Sequence, residues 1–155
     1  MDAAERHELI VEYRGGIDEV RRAIRGASAD ELDRRPAPDE WSAREVAHHL
    51  ADSETMSTIR LRRLLAEDEP VIQAYDEAEF ARRLHYDRPI EASLALYAAV
   101  RSSNLELLDR LTDDEWQRTG THSDDGPYSV EGWLRIYAAH GHDHADQIRR
   151  AREGR

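Results

Sequence analysis

The sequence predicts an all-α protein, a four-helix bundle, and three observations carry that prediction. Four long stretches place apolar residues every three or four positions, the spacing of one helix face. Capping-box pairs, Ser42 with Glu45 and Thr112 with Glu115, stand where helical segments would begin. No run alternates β-branched or aromatic residues with polar ones, as a half-buried strand would. At 155 residues, the chain is expected to form one domain over 1–155, long enough to bury a real core.

Segment one reads from about Ala4 to Arg25, with the stripe Ile10, Tyr13, Ile17, Val20, Ile24. Gly15 and Gly16 interrupt it, each at about 1 kcal/mol relative to alanine. A linker with Pro36 and Pro38 follows, and a single turn is expected at Ser28 to Leu32. Segment two, Ser42 to Glu67, opens on its capping box and is ended by Pro70. Residues 71–89 read as irregular, with a short helix near Asp76 to Leu84. Segment three, Ile90 to Leu111, carries Ile90, Leu94, Tyr97, Ala98, Leu105 and Leu108 on one face. The Thr112/Glu115 box starts a brief turn around Trp116, and TGTHSDDGPYS is expected to be a loop. Segment four, Ser129 to Ala151, has the stripe Val130, Trp133, Leu134, Tyr137, and then His140, Gly141, His144, Ile148.

Composition removes several function classes. With no cysteine there is no disulfide, thiolate metal site or cysteine nucleophile. All 22 basic residues are arginine, so no lysine forms a Schiff base. A net charge of −11 repels phosphate backbones, and no nucleic-acid partner is expected. No stretch approaches the roughly 20 apolar residues of a membrane span, so no membrane partner is expected. The start MDAAERHELI is charged and has no apolar run, which points to the cytoplasm.

The histidines are the chemical signal. With Val46 as zero, His49 falls at about −60° and His48 at about 200° around segment two, so His49 is expected inward and His48 facing away. His140 and His144 share the inward stripe of segment four, and His142 points off it. Three inward imidazoles are costly unless each is satisfied. Either each finds its own hydrogen bond in the core, or one metal ion takes all three. An i,i+4 pair lies about 6 Å apart along the axis and 40° apart in rotation, so both rings can converge on one ion. Three histidines leave a position open, as catalytic zinc sites do. His49 lies about 10 Å into its helix and His144 about 22 Å into one some 33 Å long, so their levels match only if segments two and four are antiparallel.

Other residues have two readings. His7 and His85 are expected at the surface, and His122 approaches the open end of the site. Glu54 flanks the site or sits on the surface. Arg60 and Arg101 lie on inward stripes, where they either snorkel to solvent or grip a ligand carboxylate. Arg60 is some 16 Å along the helix from His49 and would reach only the far end of a ligand. Gln147, a turn from His144, orients a ligand residue or packs at the helix end.

Two blocks carry a family resemblance. Trp41, Ser42, Glu45, Val46, His49 and Leu50 form W-S-x-x-E-V-x-x-H-L, and His140, His144, Gln147 and Ile148 form H-x-x-x-H-x-x-Q-I. Between them His122 and Gly126 give H-x-x-x-G. In this order they resemble the DinB/YfiT-like metalloenzymes, over about Glu5 to Arg150. The resemblance implies an up-down-down-up bundle with a long crossover between helices two and three. It implies a divalent metal ion, zinc or nickel, held by His49, His140 and His144, and a homodimer acting on a small-molecule substrate. Family members include S-transferases using bacillithiol or mycothiol and a mycothiol-dependent maleylpyruvate isomerase. A thiol-dependent S-transferase is therefore the first expectation, with a low-molecular-weight thiol as cosubstrate because the chain has none. The alternatives are a metal-dependent hydrolase and a non-catalytic metal- or ligand-binding stress-response bundle. An ion with an open position serves either enzyme, since it lowers the pKa of bound water towards 7 or ionises a thiol.

Overall fold

Helix starts follow their caps closely. In the computed structural model, which describes residues 1–155, α1 spans Ala3–Ile24 behind an Asp2 cap. The short α2, Ala29–Asp33, starts at a Ser28/Glu31 capping box. In α3, Ala43–Ala66, Ser42 Oγ accepts from Glu45 N while the Glu45 carboxylate accepts from Ser42 N. A crossover follows, containing strand β1, Val71–Ile72, and α4, Glu77–Arg83. It leads to α5, Glu91–Leu108, and then to α6, Asp113–Trp116, behind the Thr112/Glu115 box. Strands β2, Thr119–His122, and β3, Gly126–Ser129, precede α7, Val130–Glu153. Gly154 ends α7 in the left-handed conformation, φ 77°.

Pairings between helices fix their directions. Glu5 meets Arg135 and Glu19 meets Arg149, so α1 and α7 run parallel. His48 meets Ser93 and Thr58 meets Asn104, so α3 and α5 run parallel. Tyr13 meets Asn104 and Gly16 lies against Arg101, which makes α1 and α5 antiparallel. Trp133 Nε1 donates to Ser57 O, while Val46 and Leu50 pack in one cluster with Ile148 and Ala151, so α3 and α7 are antiparallel. The bundle is up-down-down-up with the long crossover between its second and third long helices, as expected. No helix is long and apolar enough to cross a membrane.

The core has two apolar clusters. One gathers Leu61, Leu64, Trp116, Val130 and Trp133, and the other Val20, Val46, Leu50 and Ile148. A buried polar network joins them through Tyr13 of the first cluster and Tyr97 of the second. Arg101, fully buried, faces Glu54 at 3.2 Å and bonds Tyr97 Oη and Tyr137 O. Its guanidinium occupies the space where a Cβ on Gly16 or Gly141 would lie. Gly16, a cost in the sequence reading, is thus needed for α1 to close over this arginine.

One expectation needs correction. TGTHSDDGPYS is not a loop but the β2–β3 hairpin, paired Thr119 with Ser129 and His122 with Gly126. Strand β1 adds to it in parallel, Val71 with Thr121, giving a three-stranded sheet. Strands of two and four residues are too short to show alternation, and the third comes from the distant crossover.

Candidate metal centre

His49 comes from the first turns of α3, and His140 and His144 from the second half of α7. Antiparallel packing brings them level, and one ring nitrogen from each lies within 4.8 Å of the others. The Nε2 atoms of His140 and His144 stand 3.2 Å apart. Gln147 Oε1 accepts from His144 Nδ1 at 2.7 Å, which leaves the Nε2 lone pair facing His140. The Trp41 ring packs 4.8 Å from that of His49, and the Tyr137 ring 5.6 Å from that of His140.

Burial makes all three imidazoles neutral. It pushes His49 down to about 3, with His144 adding, and His140 down to about 2, with His144, His49 and Arg101 adding. His144 is also lowered by burial, against the opposing effect of its hydrogen bond to Gln147 Oε1. Neutral rings offer the lone pairs that metal ligation needs. Two ligands about 2.05 Å from a tetrahedral zinc ion stand about 3.3 Å apart, close to the spacing of the His140 and His144 nitrogens. The alternative of three separately satisfied core histidines is not what the packing provides, because His49 Nδ1 and His140 Nδ1 are buried without a partner. An all-imidazole set suits zinc, nickel, copper or iron rather than calcium or magnesium.

A cavity of about 270 Å³ opens beside His140, with Arg60, Tyr75, His122, Tyr128 and Tyr137 in its wall. Arg60 Nη1 donates to Tyr137 Oη and Nη2 to Gln73 O, both at 3.3 Å. Glu77, the first residue of α4, stands on the rim. A larger, shallower groove of about 540 Å³, with Arg62, Leu65 and Leu107 in its wall, includes none of these histidines.

The chain matches the DinB superfamily over residues 12–148. It belongs to that superfamily. "Putative metal-dependent hydrolase OB0782" of Oceanobacillus iheyensis is 35% identical over 144 residues, 90% of this chain and 84% of its own. "Putative metal-dependent hydrolase BH0277" of Halalkalibacterium halodurans is 33% identical over 121 residues, 78% of this chain and 71% of its own. Among solved structures, YfiT from Bacillus subtilis matches with a TM-score of 0.90 at 28% identity, over 96% of this chain and 86% of its own. That protein is described as "a probable metal-dependent hydrolase with an unusual four-helix bundle topology".

Within this DinB-superfamily bundle several residues sit elsewhere than their sequence positions suggested. His48 lies outside the cage, as expected, but it is fully buried rather than facing away from the core. Its Nδ1 lies 2.8 Å from Ser93 Oγ and its Nε2 3.0 Å from Arg88 O, so it fastens the crossover and α5 to α3. Arg101 neither snorkels nor lines a ligand pocket, because Glu54 is its counter-charge. Glu54 is accordingly no surface residue: it is fully buried and accepts from Tyr13 Oη. Arg60 does face the cavity, and Gln147 orients His144. His122 is buried in the cavity wall with Asp125 3.1 Å from its Nδ1. His142 leaves the cage and bonds Glu12 O at 2.9 Å, while His7 and His85 are exposed. Tyr75, Tyr128 and Glu77 went unnoticed in the sequence; the β3 tyrosine and the crossover carry no spacing that marks them.

Proposed function

We propose that this chain is a metal-dependent hydrolase of small molecules, with His49, His140 and His144 holding one divalent ion, zinc or nickel. The observation that supports it most is the convergence of three neutral imidazole nitrogens within 4.8 Å beside an open cavity. When bound, the ion would supply Lewis acidity, lowering the pKa of a coordinated water towards 7 and polarising a carbonyl. Gln147 keeps His144 in the ligating tautomer. Glu77 on the rim is the carboxylate placed to accept a proton, and Arg60 is placed to bind the substrate's far end. The names of the relatives point the same way, since they are hydrolases by name.

Thiol-dependent S-transfer with bacillithiol or mycothiol remains a second reading, because the same cage would ionise a thiol and the cavity has a cation for a cosubstrate's carboxylate. Metal analysis of protein purified without a histidine tag tests the shared premise. About one equivalent is expected, lost in His144→Ala; none, whether or not His144 is changed, overturns the metal reading. The metal-loaded protein is then offered ester and amide panels, and separately thiols with an electrophile. Cleavage without added thiol supports the hydrolase, and turnover only with a thiol supports the transferase. Binding of metal without either reaction supports a non-catalytic bundle.

A further inference from the structure

The wall of the cavity opposite the histidine cage carries a set of hydrogen-bond donors that the chain itself leaves unanswered. Arg60 has two bonded partners, Tyr137 Oη and Gln73 O, both neutral oxygens. Its Nε is buried with no partner at all. The hydroxyls of Tyr75 and Tyr128, in the same cavity wall, are likewise buried and unpartnered. Arg60 is half-buried, and a guanidinium with a buried, unbonded Nε and no counter-charge carries a cost, as does a buried phenol with no acceptor. Arg101, by contrast, has Glu54. Such a cluster is what an anion-binding seat looks like before its anion arrives.

We infer that this seat binds the carboxylate of a small-molecule substrate, with Arg60 as the cation and the Tyr75 and Tyr128 hydroxyls as neutral donors. The inference adds a substrate class to the metal-dependent reading above and rests on it only for the reaction at the ligand's other end. Charge selects a carboxylate over a phosphate. Arg60 is a single fixed cation, and the cavity's other charged side chains are the carboxylates Glu77 and Asp125. Asp125 is already beside His122, and Glu77 is exposed at the rim. A monoanion is matched by one guanidinium, whose planar fork fits a carboxylate in two parallel bonds. A phosphate dianion would lack a second cation and would meet those acids. Burial raises the Tyr75 and Tyr128 phenols, so both stay protonated and able to donate. The Tyr75 ring, 5.7 Å from the guanidinium, holds it from the side.

Placement sets the ligand's orientation. Arg60 starts about 16 Å along α3 from His49, and helical side chains lean towards the N-terminus, back towards the cage. Tyr137 bridges the interval, its hydroxyl on Arg60 and its ring 5.6 Å from that of His140. The substrate's carboxylate is therefore remote from its reacting group, which lies at the histidine end.

Hexanoate serves as the probe, with hexanamide and inorganic phosphate as comparisons, titrated calorimetrically into metal-loaded protein. Hexanoate should bind at least tenfold more tightly than either. Arg60→Met should weaken it at least tenfold with metal content unchanged, Tyr75→Phe and Tyr128→Phe by about threefold each, and Arg60→Lys should retain part of the affinity. His144→Ala should lose the metal and keep hexanoate binding, which separates this seat from the metal reading. Loss of hexanoate binding in His144→Ala but not in Arg60→Met would mean that the carboxylate sits on the metal, and would overturn the inference. No hexanoate binding to the wild type, or tighter binding of phosphate, would overturn it too.

Discussion

Replacing Arg101 by methionine removes a cation from the middle of the bundle while keeping much of its volume. Arg101 is fully buried, 3.2 Å from Glu54 Oε2, and also bonds Tyr97 Oη and Tyr137 O. Removing one partner of a buried ion pair costs about 3–5 kcal/mol. At about 2–4 °C per kcal/mol for a chain of this size, the melting temperature should fall by roughly 6–20 °C. The deficit should also depend on pH. Burial already raises the Glu54 carboxyl, against the opposing pull of Arg101, and without Arg101 it rises further. The folded variant then holds a proton that the unfolded chain releases above about pH 4.3. A carboxyl raised in the folded state favours folding at low pH, and that advantage is lost as pH rises, by about 1.4 kcal/mol per unit until the folded pKa is reached. The wild type shares part of this dependence, and the deficit should be larger at pH 7 than at pH 5. Urea unfolding of the wild type, Arg101→Met, Glu54→Gln and the double variant at both pH values measures this, and the double variant should be less damaged than the sum of the single ones. A deficit under about 1 kcal/mol at pH 7, or one identical at pH 7 and pH 5, would refute the buried ion pair as the organiser of this layer.

Three further outcomes are expected. His48→Ala should spare the metal but cost about 1–3 kcal/mol, by removing the shorter of the two hydrogen bonds at Ser93 Oγ and at Arg88 O, whereas His49→Ala should abolish metal binding; metal analysis beside thermal melts reads both, and the opposite pattern would mean that the wrong histidine faces the cage. After metal removal, stability should hold above about pH 6.5 and fall as pH drops below it, because His49, His140 and His144 stay neutral in the folded state while the unfolded chain takes up protons. The slope is at most about 1.4 kcal/mol per pH unit for each histidine, so a urea midpoint unchanged between pH 7 and pH 5 would count against buried neutral rings. Gln147→Ala should weaken the metal about 10–100-fold without changing its stoichiometry at saturation, and equal affinity in a chelator competition would deny Gln147 its orienting role.

What the sequence conveyed and what it withheld have physical reasons. Caps act within four residues, so Ser42 with Glu45 and Thr112 with Glu115 could be read directly and their helices begin there. His49 was placed correctly because it shares a stripe with Val46 and Leu50. A single-stripe wheel failed for His48 because α3 is buried on two flanks, one against α7 and the other under α5 and the crossover, whose Ser93 and Arg88 are far along the chain. Arg101 was seen to lie inward, but its partner Glu54 belongs to another helix, and no local pattern pairs them. The hairpin has Gly120 and Pro127 inside its strands and gains its third strand from residues 71–72, so nothing local announces it.

The cavity is assembled from two kinds of material. Its metal-side residue, His140, and its arginine, Arg60, stand on long bundle helices, while Tyr75 and Glu77 come from the crossover and His122, Asp125 and Tyr128 from the hairpin. Surface connections tolerate insertion and exchange far better than packed helices do. Substitutions in the crossover and hairpin can therefore re-tailor which molecule is admitted while the imidazoles of the cage keep their registration. One inherited histidine cage could in this way be paired with many differently shaped cavities by editing two short, peripheral pieces of chain.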